Sequence, residues 1–199
     1  MAILVDPAFL PAILTAGPMT DDEFAAFCDE HPDLEFETTA GGELIVMPQT
    51  FSFTGVRNSA ITTQLQVWSW QDGRGFVCDS STGFVTPDGA RKSPDAAWVY
   101  KDRIAALAPE ARERFWRLCP DFVIELKSHS DRPGGLRAKM MEWIANGAQL
   151  GWMIDPATRT VEIYRPEREP ELLTNPVSVE GAGPVSGFVL QLAQVWDPL

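Results

Sequence analysis

The stretch Pro120-Asp121-Phe122-Val123-Ile124-Glu125-Leu126-Lys127 governs how the rest of the chain reads. Its apolar residues recur with period two, the pattern of a β-strand. Alternation places Phe122, Ile124 and Leu126 on one face and Val123, Glu125 and Lys127 on the other. A carboxylate and an ammonium thus project side by side from an otherwise apolar element. Upstream, Ser93-Pro94-Asp95-Ala96-Ala97-Trp98-Val99-Tyr100 reads as a second strand with Asp95 at its mouth. Two carboxylates on neighbouring strands are oxygen ligands suited to a divalent cation, and a nearby lysine steadies a developing anion. This is hydrolytic metal-site chemistry, most often directed at phosphodiesters.

Each residue also has a plainer reading. Asp95 after Pro94 suits a turn acceptor for backbone amides. Glu125 resists that explanation, because a carboxylate inside Phe-Val-Ile-Glu-Leu costs free energy to bury without a partner. Lys127, two residues on and on the same face, is one such partner. A metal site and a structural Glu125–Lys127 pair both relieve the cost, and the residues alone leave the two open. Lys139 reads either as a solvated helix lysine or as one whose stem packs inward with its head near the strand ends. His129 sits alone in a polar loop, so Ser-His-Asp catalysis and histidine-rich zinc sites have little support.

The 199 residues suffice for one well-packed domain, and 45% are apolar, an ordinary share for a globular chain. No run approaches a membrane span, and Met1 to Leu14 has no basic n-region, so a cytoplasmic protein without a membrane partner is expected. Cys28, Cys78 and Cys119 are odd in number and widely spaced, which suits buried thiols in a reducing compartment. The net charge is -12, unlike that of a general nucleic-acid binder. Yet 11 of the 16 basic residues fall between positions 91 and 139, against 7 acids there. The basic residues therefore concentrate around the two candidate strands. Part of them, Arg112, Arg114 and Arg117, suits a solvated helix face.

Thr20 and Glu23 form a capping box for a helix over 19–31. Residues 34–38 and 43–47 read as a hairpin around Ala40-Gly41-Gly42. A helical stripe runs over 56–70, and short strands follow near 76–79 and 83–86. A helix over 104–116, one over 136–147 and a strand pair at 151–155 and 160–165 complete the expectation. The Pro-rich tail predicts one short strand near Phe188 and a final helical turn. Hairpins mixed with helical crossovers point to an α/β (mixed α+β) fold, with a central mixed sheet flanked by helices. We expect one domain over 1–199, with a helical extension at 1–33, a core at 34–165 and a loop-rich tail at 166–199. No dinucleotide or P-loop glycine motif is present.

Several blocks, in order, resemble the Uma-type putative restriction endonuclease family of the PD-(D/E)XK nuclease superfamily. They are Leu34 to Pro48, Arg57-Asn58-Ser59, Asp79 to Phe84, Ser93-Pro94-Asp95-Ala96, Cys119 to Ser128, Lys139-Met140-Met141-Glu142-Trp143, and Gly151 to Pro156. The resemblance implies a restriction-endonuclease-like fold and Mg2+- or Mn2+-dependent hydrolysis of DNA. The superfamily's metal-binding acid and E-x-K pair match Asp95 and Glu125-Leu126-Lys127. Lys139 matches a helical position thought to replace that lysine in many relatives, so both lysines stand as catalytic candidates. Glu37 and Glu43 match acidic positions of the first hairpin and are candidate extra acids. Arg91, Lys92, Arg132 and Arg137 are candidate phosphate contacts. Abundant aromatics, low basicity and the pairing common among restriction-type nucleases predict a homodimer. The alternative function is a non-catalytic interaction protein that retains the fold.

Overall fold

The structure is a computed structural model that describes residues 11–199 apart from 16, 18, 48, 49, 130 and 132. In chain order its elements begin with β1 (Ala12–Leu14), α1 (Asp21–Glu30), β2 (Glu35–Thr38), β3 (Leu44–Met47) and α2 (Ser52–Asp72). Next come β4 (Gly75–Asp79), β5 (Phe84–Val85), β6 (Arg91–Lys92), β7 (Ala96–Tyr100), α3 (Lys101–Ala105) and α4 (Pro109–Arg112). The second half holds β8 (Phe122–Leu126), α5 (Pro133–Ala145), β9 (Leu150–Asp155) and β10 (Thr160–Tyr164). It closes with β11 (Glu171–Thr174), β12 (Ser178–Glu180), β13 (Val189–Gln191) and α6 (Ala193–Trp196).

The central sheet is mixed, in the order β11-β10-β9-β8-β7-β4. Only β8 and β9 run parallel, joined by α5, while the neighbouring pairs are antiparallel. All five residues of β8 are buried, because both sheet faces are covered. On one face Phe122, Ile124 and Leu126 pack with Ile61 and Leu65 of α2 and with Phe188 and Leu190 of the tail. On the other, Val123 packs with Met140 and Trp143 of α5. The period-two reading therefore assigns the faces correctly. This mixed α/β architecture flanked by helices is the one expected from the sequence.

A second sheet, β1-β3-β2-β6-β5, lies beside the first and carries its own small core of Phe24, Phe36, Leu44 and Val46. Helix α1 closes that core. Thr20 accepts the Glu23 amide at 3.2 Å and the Glu23 carboxylate accepts the Thr20 amide at 2.8 Å, which completes the capping box. Arg91 anchors the same helix by donating to Asp21 and to the Met19 carbonyl, with its guanidinium over the Phe24 ring.

Three sequence expectations change. The segment expected as a helical extension, 1–33, contains strand β1, which pairs with β3 of the smaller sheet. The helix over 104–116 is two short helices, because Pro109 lacks an amide proton and drives Ala108 out of the helical region (φ -56, ψ 145). The tail holds three strands rather than one: β11 joins the central sheet, and β12 and β13 pair with each other. Among the described residues no helix is long and apolar enough to cross a membrane. The three cysteines are free, and burial pushes the Cys78 and Cys119 thiols up to about 12, so they are poor nucleophiles.

Gly75 opens β4 where the Trp98 ring crosses the sheet, and a Cβ there would meet the ring at 2.0 Å. Trp98 is fully buried and its indole donates to Ser69 at 3.0 Å, so it has nowhere to move. Gly75→Ala should therefore destabilise the protein by about 1–3 kcal/mol in urea titrations. Gly55→Ala is the control: it lies on α2 with no atom within 4 Å of an added Cβ. That change should stabilise by roughly 0.5–1 kcal/mol.

Candidate metal centre

Asp95 and Glu125 face each other across β7 and β8. Ala96 pairs with Ile124, so one step outward sets Asp95 opposite Glu125. Asp95 itself precedes β7, and it and Glu125 line one cleft at the ends of these strands. The Leu126 amide donates to Asp95 Oδ2 at 2.7 Å, and Asn58 Nδ2 of α2 donates to Oδ1 at 2.7 Å. The plane of the Asp95 carboxylate is thereby fixed from two sides.

Glu125 is 3% exposed, and its Oε1 accepts the Trp143 indole at 2.8 Å and the Lys139 ammonium at 3.1 Å. Lys139 also donates to Glu37 at 2.8 Å and to the Ser93 carbonyl at 2.9 Å. Glu37 reaches in from β2 and accepts the Ser93 amide at 3.0 Å. The group lines a cleft of about 390 Å³ whose walls include Ile13, Ile45, Met47 and Phe51.

The crowding of acids shows in their proton affinities. Burial raises the Asp95 carboxyl above its ordinary value, although the Leu126 amide, Lys139 and Asn58 work against that rise. Burial also pushes Glu125 up to about 7, with the charges of Asp95 and Glu37 adding to it and Lys139 and Trp143 opposing it. For Lys139, burial favours the neutral amine, but Glu125, Glu37 and Asp95 outweigh it and hold the group firmly protonated.

The donor set fits a hard divalent cation. Asp95 and Glu125 offer carboxylate oxygens, and Asn58 Oδ1 is buried with no hydrogen-bond partner among the described residues. Among those residues, no three Asp, Glu, His or Cys side chains converge closely enough to hold an ion by themselves. Any such ion would therefore be completed by oxygens from water or substrate, as Mg2+ commonly is.

Other residues singled out from the sequence lie elsewhere or do other work. Lys127 does not pair with Glu125. Strand β8 ends at Leu126, so alternation no longer governs the next side chain, and Lys127 meets Asp155 at 3.4 Å. Glu43 is in the exposed turn before β3, where Thr39 donates to it at 3.3 Å, away from the cleft. Arg91 is engaged with Asp21, and Arg137 makes a two-pronged contact with Glu162. Lys92 lines the cleft but is paired with Glu142. Arg132 falls outside the described residues. Asn58 and Trp143 were not singled out individually, although both stand inside the sequence blocks that carry the family resemblance.

The sequence profile of the Uma2 family, described as "putative restriction endonuclease", matches residues 21–193. The chain belongs to this family. Its fold resembles that of a crystal structure from Anabaena variabilis ATCC 29413, described as a putative nuclease belonging to DUF820. The two share 21% identity and a TM-score of 0.73, over 90% of this chain and 98% of that one. No curated protein gives a significant match. Membership in Uma2 and this likeness establish a restriction-endonuclease-like fold around the acidic cleft.

Two outcomes test the electrostatics. Removing the ammonium by Lys139→Met leaves Glu37 and Glu125 buried without their cation. Urea titration should show a loss of about 3–5 kcal/mol at pH 8. The loss should be smaller at pH 5, where Glu125 takes up a proton instead. The second concerns the metal-free wild type. Because the folded carboxyl titrates near 7 rather than at its ordinary 4.5, the folded state binds the extra proton between those values. This group's contribution to stability is therefore greatest at low pH and declines as pH rises through 7. Melting curves of wild type and Glu125→Gln should diverge across that window, with the wild type falling. Identical pH profiles would contradict the assignment.

Proposed function

We propose that the protein is a Mg2+- or Mn2+-dependent endonuclease that hydrolyses DNA phosphodiester bonds, with the whole chain serving as one nuclease-like domain. The observation that carries this reading is the cleft that Asp95 and Glu125 line together, with Lys139 against Glu125. Family membership supports the nuclease class. Asp95 and Glu125 would hold the ion, which supplies polarisation of the phosphate and a lowered pKa for attacking water. Asn58 and the Leu126 amide keep Asp95 in a single orientation, and Trp143 does the same for Glu125. Lys139 is the better placed of the two lysines, because Lys127 is drawn to Asp155. Its ammonium would orient water or offset negative charge gathering on the phosphate.

Free thiols at Cys28, Cys78 and Cys119 agree with a reducing cytoplasm. Exposed Val67, Trp70 and Phe76, on α2 and the β4 edge strand, offer a surface for pairing two copies. The alternative, a non-catalytic interaction protein on this fold, draws support from Lys139, which already pairs with Glu37 and Glu125.

Glu125→Gln separates the two. The amide keeps the shape and resembles the protonated carboxyl, and Lys139 retains Glu37. Cleavage of DNA in Mg2+ or Mn2+ should fall at least about 100-fold, the scale of losing one group that stabilises transition-state charge. The melting point of the metal-free protein at pH 8 should hold or rise. DNA left intact by wild type under either metal, at any pH from 6 to about 9, would favour the scaffold.

A further inference from the structure

The cleft combines features that bear on what enters it. Two of its acids lie deep, Glu37 and Glu125 at 3% exposed each, while Glu35 and Glu142 stand exposed at its edge. Apolar side chains on its lining are open to solvent, with Ile13 65% and Phe51 60% exposed. Phe51 and Ile13 both line the cleft mouth. The Phe53 ring has the Arg57 guanidinium 5.9 Å from its centre, whereas no ring or cation covers Phe51 among the described residues. Scattered apolar side chains on a surface need no explanation, but an aromatic ring held at the mouth of an acidic cleft offers a π-face to a ligand.

Charge narrows the choice of ligand. The chain carries -12 overall, and three basic residues near the two strands are committed: Arg91 to Asp21, Lys92 to Glu142 and Arg137 to Glu162. Arg57 donates to the Val195 carbonyl at 2.8 Å. A duplex presents dense, regularly spaced phosphates and is gripped chiefly through cations that neutralise them. This rim supplies few. Bringing a scissile phosphate of a stiff duplex down to a buried floor also adds the cost of deforming that duplex. A single strand threads inward without that cost, and its exposed bases stack on aromatic rings. The volume of about 390 Å³ lies low in the range of roughly 300–1,000 Å³ typical of small-ligand clefts. It suits one nucleotide unit.

We propose that the cleft takes an unpaired stretch of nucleic acid, with a base stacked on Phe51, in preference to intact duplex. This rests on the nuclease reading of the same site and specifies its substrate class.

The test uses the full chain and a short fluorescein-labelled DNA oligonucleotide, as a single strand and as the matched duplex. Binding is followed by anisotropy in Ca2+, and cleavage in Mn2+. The single strand should bind and be cut roughly tenfold or more better than the duplex. Phe51→Ala should weaken single-strand binding about 5- to 100-fold, as expected for the loss of one base–aromatic stack, and raise KM more than it lowers kcat. Phe51→Trp should restore binding. Equal treatment of the two substrates, or an unaffected Phe51→Ala protein, overturns the proposal. A Phe51→Ala protein with unchanged binding but a halved mass by light scattering overturns it too, and assigns the ring to contact between copies. Single-strand preference in binding with no cleavage in any metal upholds the substrate class while removing the hydrolytic reading. Binding of neither substrate removes both.

Discussion

The ammonium of Lys139 is the point on which the site depends. It joins three parts of the fold: Glu37 from the smaller sheet, Glu125 from the central sheet and the Ser93 carbonyl between β6 and β7. None of these groups is comfortable alone in an apolar setting, since an unpaired buried charge is far more costly than a paired one. A single cation, itself 16% exposed, satisfies them together. The two sheets are thereby tied by electrostatics at the place where the acids gather.

The arrangement also explains why the carboxylates remain adaptable. Lys139 does not fully balance Asp95, Glu125 and Glu37, so burial, with residual repulsion added, pushes the Glu125 carboxyl up to about 7. A cation entering the cleft would have to displace the proton that Glu125 holds up to about pH 7, so its binding should strengthen as pH rises through that value. Asp95 and Glu125 are also held by neutral donors, Asn58, Trp143 and the Leu126 amide, which orient them without neutralising them. Fixed orientation with incomplete charge balance is what distinguishes this cluster from the Arg103–Asp121 pair at 2.8 Å. There the buried Asp121 also accepts from Gln149 and the Tyr100 amide.

Much of this was legible in the sequence where local rules and tertiary packing agree. The strand at 122–126, the capping box at Thr20 and the hairpin of β2 and β3 follow from alternation and turn chemistry. Asp95 and Glu125 could be placed on neighbouring strands because each stands at a fixed point in an apolar run. What stayed hidden depends on distant partners. Alternation puts Lys127 on the face of Glu125, but the strand stops one residue earlier and Asp155 captures it. Arg91 looked available to phosphate, yet Asp21, seventy positions away in sequence, holds it. Strand β6 is two residues long and pairs only because β2 and β5 flank it. Asn58 sits in an ordinary helical pattern, and its role appears only when α2 lies beside β7.

Strands β8 and β9 run parallel, so the chain must cross over between them, and α5 is that crossover. The same helix carries Lys139 and Trp143 to the site. An α-helix advances about 100° per residue, from its 3.6 residues per turn. One residue gained or lost within α5 ahead of Lys139 would swing the ammonium a quarter-turn or more away from Glu37 and Glu125 while leaving the crossover itself intact. Divergence within this architecture is thus free to vary loop length outside α5 but is locked to whole helical turns inside it, so the spacing between helix start and lysine acts as an angular ruler for the site.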